Sequence, residues 1–184
     1  MPALFLSIDV ETDGPIPGRN SMLSLGAVAI DLEKNILGEF SCNLHPLPEA
    51  RPDSETMAWW QTQPAAWQAH REHLEQPEPA MVRYLAFLKG LPQRPVFMGY
   101  PAAFDFMFHH WYLIAFTGED PCGFQALDLK SYAAALLNLP YRESRKEAYP
   151  KSWSENMPHD HTALTDARGQ AILGINMLRA GAKR

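Results

Sequence analysis

Cysteine is scarce in this chain: Cys42 and Cys122 are the only two. They show none of the paired spacings of a disulfide framework or a cysteine-rich zinc module, so both read as reduced and unremarkable thiols. A basic excess is also missing, with 16 Lys and Arg against 21 Asp and Glu and a formal net charge of -5. Gripping a long duplex by phosphate neutralisation needs a broad basic surface, so that class is excluded. An enzyme that handles a short single-stranded end through bound metals is not. No apolar run reaches spanning length, and the opening MPALFLSIDV has no basic region and meets Asp9 after a short apolar stretch. That predicts neither a signal peptide nor a membrane helix, and makes a cytoplasmic protein the expectation. Repeats, low-complexity stretches and linkers are lacking too, since the 16 prolines and 11 glycines are scattered.

What is present is 184 residues at 46% hydrophobic and 20% charged composition, the profile of a single compact domain over residues 1–184. Residues 3–10 form an apolar run that predicts a buried strand, residues 22–31 alternate as a second and 36–44 as a third. The DGPIPGRNS segment between the first two is an exposed loop, so the chain opens as an antiparallel meander. Helical spacing follows, capped by Ser54 and running through Gln63, with Pro64 opening a further turn and another helix over 79–90. A short strand over 95–100, a very apolar helix over 104–117, a strand over 125–129 and a helix over 130–138 imply parallel crossovers. The last helix, 162–179, aligns Leu164, Ala167, Ala171, Ile175 and Leu178 on one face. The sum is an α/β sandwich.

Three places carry acids that are hard to explain as solvated surface. Asp9 and Glu11 stand two apart at the end of a buried strand, where a period of two points both to one face. They repel unless a cation neutralises them, and Mg²⁺ or Mn²⁺ suits such oxygen ligands. Asp105 enters the most apolar helix, FDFMFHHWYLIAF, where a carboxylate must be paired, metal-bound or acting as a cap. In HDHTALTDARGQA, Thr162 is the N-cap candidate, with His161 just ahead of the helix and Asp166 at the end of its first turn. A neutral imidazole there has the chemistry of a general base.

Taken together, DVET at the first strand end, FD on the middle helix and HTALTD at the last helix resemble the three ordered motifs of the DEDDh 3′-5′ exonuclease superfamily. The resemblance spans Asp9 to Asp166. It implies a ribonuclease H-like fold, a mixed five-stranded sheet (antiparallel meander, then parallel strands) flanked by helices, as in compact exoribonucleases similar to ribonuclease T and oligoribonuclease. It assigns Asp9, Glu11, Asp105 and Asp166 to two divalent metal ions and His161 to the attacking water, with nucleoside 5′-monophosphates as product. His161, not His159, has the five-residue offset to Asp166 that the motif requires. The chain departs from many relatives in having Tyr100 and Pro101 where they carry a His-Asn pair.

The partner implied is the 3′ end of a single-stranded nucleic acid, with RNA slightly favoured and a DNA-editing role as the close rival. A catalytically silent module of the same fold is the alternative of another class. Expected substrate contacts are Thr12, Leu23 or Leu25 as an aliphatic wedge, Phe104, and Arg142, Arg145 and Lys146 in YRESRKEAYPKSW, a segment that reads equally as a solvated loop. Of Trp59 and Trp60, adjacent on a helix, at most one can stack on a base. His109 and Tyr112 share a helical face with Asp105 and read as a partly buried polar stripe. Helix 104–117 and the tryptophans offer a surface for a homodimer or for the ordinary core.

Overall fold

The computed structural model describes residues 3–155 and 161–182. Strand β1 (Leu4–Thr12) pairs antiparallel with β2 (Met22–Asp31), which pairs antiparallel with β3 (Ile36–Leu44). Two short helices follow, α1 (Ser54–Trp60) and α2 (Pro64–Ala69), then a two-residue strand β4 (Leu74–Glu75) and helix α3 (Pro77–Gly90). Strand β5 (Val96–Gly99), helix α4 (Ala102–Thr117), strand β6 (Ala126–Asp128) and helix α5 (Leu129–Leu137) make the parallel half. A 3-10 turn (Lys146–Ala148), helix α6 (Lys151–Ser154) and the long α7 (Ala163–Gly181) complete the order.

The sheet has six strands in the order β4-β3-β2-β1-β5-β6, one more than expected. The addition is β4, parallel to β3 through Asn43 and Leu74 and through Leu44 and Glu75. Two residues carry no periodicity, so such an edge strand leaves no pattern to read. A second correction concerns α1: its cap is Asp53, whose carboxylate accepts from Thr56 N at 2.9 Å, and the helix ends at Trp60.

Helices cover both faces of the sheet. Leu4, Leu6, Ile8 and Val10 of β1 join one core with Tyr84 and Leu88 of α3 and Phe108, Tyr112 and Leu113 of α4. Phe5, on the alternate face, joins the second core with Leu129 and Ala133 of α5 and Ala167, Ala171 and Ile175 of α7. The strand period of two therefore turns Asp9 and Glu11 to the α7 side. The apolar stripe read on the last helix is the face that packs there.

Gln170 fixes how α7 sits. It is 4% exposed, and its Nε2 donates to Ser7 Oγ at 3.0 Å, to Ile8 O at 2.8 Å and to Met98 O at 3.3 Å. One amide thus ties α7 to β1 and β5, a single turn after Asp166. Gln170→Leu removes that donor and strands buried acceptors, so urea denaturation is expected to show a loss of about 1–3 kcal/mol. An unchanged midpoint would mean the helix is held by packing alone.

Candidate active site

The end of β1 is where the acids meet. Asp9 pairs with Gly26 and Glu11 with Ser24 in the β1–β2 register, and β5 flanks β1 on the other side. Asp105 arrives in the first turn of α4, 5% exposed, and its Oδ1 accepts the backbone N–H of Val10 at 3.2 Å. That bond ties the third acid to the residue between the first two. The α4 cap residue is Pro101, with no side-chain cap hydrogen bond, and the Asp105 carboxylate reaches beyond its own helix to β1.

Asp166 arrives from the first turn of α7, 6% exposed, its N–H bonded to Thr162 O at 2.9 Å. Thr162 is the N-cap residue as read, and its side chain makes no cap hydrogen bond. His161 has a φ of 57°, a left-handed backbone that turns the chain sharply into α7. Ligating atoms of Glu11, His161 and Asp166 all lie within 4.8 Å of one another, close enough to share one cation. His159 lies outside the described residues.

Burial and like charge act together on this cluster. Asp9 is pushed well above the usual carboxylate range, first by lost hydration and then by Asp105, Glu11 and Asp166, while Lys146 pulls the other way. Asp105 is pushed up to about 8 by burial, against the opposing Val10 N–H and Lys146. A cluster that resists ionisation by itself, made of oxygen donors with an imidazole, fits hard divalent cations.

This has a consequence for stability without metal. An unfolded aspartate releases its proton near pH 3.9, whereas folded Asp105 retains it to about pH 8. Between those values the folded chain binds more protons, so stability falls as pH rises. In EDTA, the melting temperature is expected to be lower at pH 8 than at pH 5. Asp105→Asn is expected to flatten that slope, and equal slopes in both proteins would mean that the buried Asp105 carboxyl does not set it.

The surroundings are aromatic. Trp60 is buried and donates Nε1–H to Thr12 O at 2.9 Å, latching α1 to the end of β1. Trp59, 40% exposed, meets the His161 ring edge-on at 5.1 Å and 89°. The two tryptophans thus divide as their helical angle requires, one inward and one toward the site. Neither the Trp60 latch nor Gln170 was legible beforehand, although a lone glutamine in the apolar face of α7 was a visible anomaly.

Other expected contacts scatter. Thr12 is buried beside the acids, and Phe104 is half-buried against Phe108 at 5.3 Å. Lys146 lies near enough to lower the pKa of Asp9 and Asp105, and its Nζ stands 5.2 Å over the Tyr100 ring. Arg142 and Arg145 are exposed. Leu23 and Leu25 are 0% and 1% exposed, Leu23 packed with Trp60 and Ala66 and Leu25 in the core on the α3–α4 side, so neither presents an edge to a base. His109 and Tyr112 are fully buried, not partly. On the outer face of α4, Met107 and Ile114 are exposed. No helix among the described residues is long and apolar enough to cross a membrane.

Comparison with known proteins places the fold and the family. The model of the 3′-5′ exoribonuclease Rv2179c-like domain matches residues 5–176. The 3′-5′ DNA exonuclease Cap18 of Escherichia coli is 37% identical over 174 residues, covering 92% of this chain and 89% of that protein. The nuclease domain of 3′hExo, a DEDDh family member solved with rAMP, superposes with a TM-score of 0.69 at 11% identity, covering 98% of this chain and 94% of that one. Escherichia coli exonuclease I, solved with a dT13 oligonucleotide, gives 0.68 at 18% identity, covering 98% and 42%. With a family match across residues 5–176 and a relative 37% identical over nearly the whole of both chains, the chain belongs to the Rv2179c-like 3′-5′ exoribonuclease domain family.

Proposed function

We propose that this 3′-5′ exonuclease removes nucleotides from single-stranded 3′ ends with two divalent cations, Mg²⁺ or Mn²⁺, and releases nucleoside 5′-monophosphates. The observation that carries the reading is the convergence of Glu11, His161 and Asp166 within 4.8 Å, with Asp105 bonded to the strand that bears Asp9. Asp9, Glu11, Asp105 and Asp166 hold the cations. When bound, such a pair neutralises the carboxylates, eases ionisation of water and stabilises charge on the scissile phosphate.

The chain's own groups do the rest. His161 takes the proton of the attacking water on a ring nitrogen, and its ring is walled by the edge contact with Trp59. Asp105, restrained by the Val10 N–H, keeps the cluster from spreading when charge enters. Lys146, whose charge already acts on Asp9, supplies attraction for a phosphate backbone.

DNA is the favoured substrate, on the name of the 37% identical relative; RNA is the second reading, favoured by the family's own description. The test is incubation with 5′-labelled single-stranded DNA and RNA of matched sequence, with Mn²⁺ or EDTA, beside an Asp9→Asn control. A metal-dependent ladder shortening from the 3′ end is expected, and the faster substrate decides the sugar. Intact substrate in every lane would overturn the reading.

A further inference from the structure

Beyond Asp105, one helical turn along α4, lies a second cluster that the exonuclease reading does not use. His109 is the middle of a buried relay: Tyr84 Oη is 3.1 Å from its Nδ1, and its Nε2 is 3.4 Å from Asp120 Oδ1. The other Asp120 oxygen lies 2.8 Å from His110 Nδ1. Cys122 follows two residues on, and its thiol comes within reach of the same carboxylate. The ligating atoms of His109, Asp120 and Cys122 lie within 4.8 Å of one another. The side chains of His109 and Asp120 are 0% and 2% exposed, and Cys122 is 2% exposed.

We propose that His109, Asp120 and Cys122 form a second metal site, selective for zinc, that braces α4 against the loop after it.

Four features carry this. The 3.4 Å between Nε2 and Oδ1 exceeds the ordinary N–H···O range of about 2.7–3.2 Å. It matches two ligand atoms on one tetrahedral cation, where bonds of about 2.0–2.1 Å place ligands about 3.3 Å apart. The second nitrogen of His109 is engaged by Tyr84, and the second oxygen of Asp120 by His110, the outer hydrogen bonds that orient metal ligands. The charges also sum correctly: a divalent cation with one thiolate, one carboxylate and a neutral imidazole is neutral, which a buried site requires. Finally, the loop is already tied in place, with Cys122 N donating to Asp120 Oδ1 at 2.8 Å and Arg94 donating to Cys122 O at 2.9 Å.

Ligand chemistry separates the two sites. Mg²⁺ and Mn²⁺ prefer the oxygens around Asp9, whereas a thiolate with an imidazole selects zinc. Zinc binding forms the Zn–S bond and releases the thiol proton of Cys122 to solvent. A solvent molecule completes the four ligands. The benefit falls on α4, whose start is held by Asp128 Oδ2 accepting from Ala102 N at 2.7 Å and whose middle the zinc would clamp at His109, with Asp105 between.

The test uses full-length Asp9→Asn protein, to weaken the first site, freed of metal by chelator and titrated with Co²⁺. One equivalent is expected to bind with tetrahedral visible bands and a near-ultraviolet thiolate-to-cobalt transition, both bleached by Zn²⁺. Cys122→Ser in the same background should lose the thiolate transition and bind zinc about 100-fold more weakly. Because that variant can fail to fold, X-ray absorption of the zinc-loaded parent provides a second reading, with one sulfur expected at about 2.3 Å. No thiolate transition at cobalt saturation, a transition that survives Cys122→Ser, or a zinc shell without sulfur would each overturn the site. None of these readouts depends on nuclease activity.

Discussion

Asp9→Asn is expected to lower 3′-end hydrolysis by about 100-fold or more while leaving the metal-free protein at least as stable as its parent. The activity loss follows from position: Asp9 sits centrally among the acids, with Asp105, Glu11 and Asp166 all acting on its charge. Removing one charged group that stabilises a transition state of this kind typically costs about 10²–10³ in rate. The stability follows from the same electrostatics with opposite sign. Asp9 is held well above the usual carboxylate range by burial and three like charges, so a neutral amide of the same shape relieves repulsion. Thermal melts in EDTA beside single-turnover hydrolysis in Mn²⁺ check both halves. A variant that is inactive and also strongly destabilised would mean that Asp9 serves the fold, and the metal reading would lose its central ligand.

Gly26→Ala is expected to cost about 1–3 kcal/mol of stability and, out of proportion to that, about 100-fold in activity. Gly26 lies opposite Asp9 in the β1–β2 register. A Cβ there would stand 2.2 Å from Ala163 O, 2.3 Å from Ala163 C and 2.4 Å from Leu164 N, all backbone of the first turn of α7. Backbone cannot rotate aside as a side chain can, so the start of α7 must move outward, taking Asp166 and His161 with it. Overpacking sets the stability cost. Displacement of reacting groups by about 1 Å is enough for a loss near 10²-fold. Gly38→Ala is the control, because its added Cβ meets the Phe87 ring, with the nearest atom at 2.9 Å, well away from the acids. Urea denaturation and hydrolysis rates on both proteins separate the cases. Wild-type activity in Gly26→Ala would show that this contact does not set the position of α7.

Gly26 also marks where reading the sequence stops. Apart from β4 and the short α6, the element order, the antiparallel opening and the parallel crossovers were legible from local periodicity, and Asp9, Glu11, Asp105 and Asp166 stood out as candidates through three ordered motifs. The apolar face of α7 was legible from the same periodicity. The contacts that bring these pieces into register are long-range and leave no local trace. Gln170 reaches β1 across 163 residues of chain, and the Asp105 carboxylate reaches Val10 N across 95.

Burial was likewise settled by the fold. Leu23 and Leu25 read as wedge candidates by their place after the first motif, but β2 is covered on both faces and both side chains are spent on packing. Cys122 read as an unremarkable thiol because its companions His109 and Asp120 are not at a paired-cysteine spacing; they meet it only when α4 and the following loop fold back together. By itself the sequence determined the fold class, through hydrophobic period, and, through three ordered motifs, which residues are candidates for chemistry. Only the tertiary structure decided which groups share a site, how far their charges interact and which side chains remain free for substrate, because distance and dielectric belong to the packed chain.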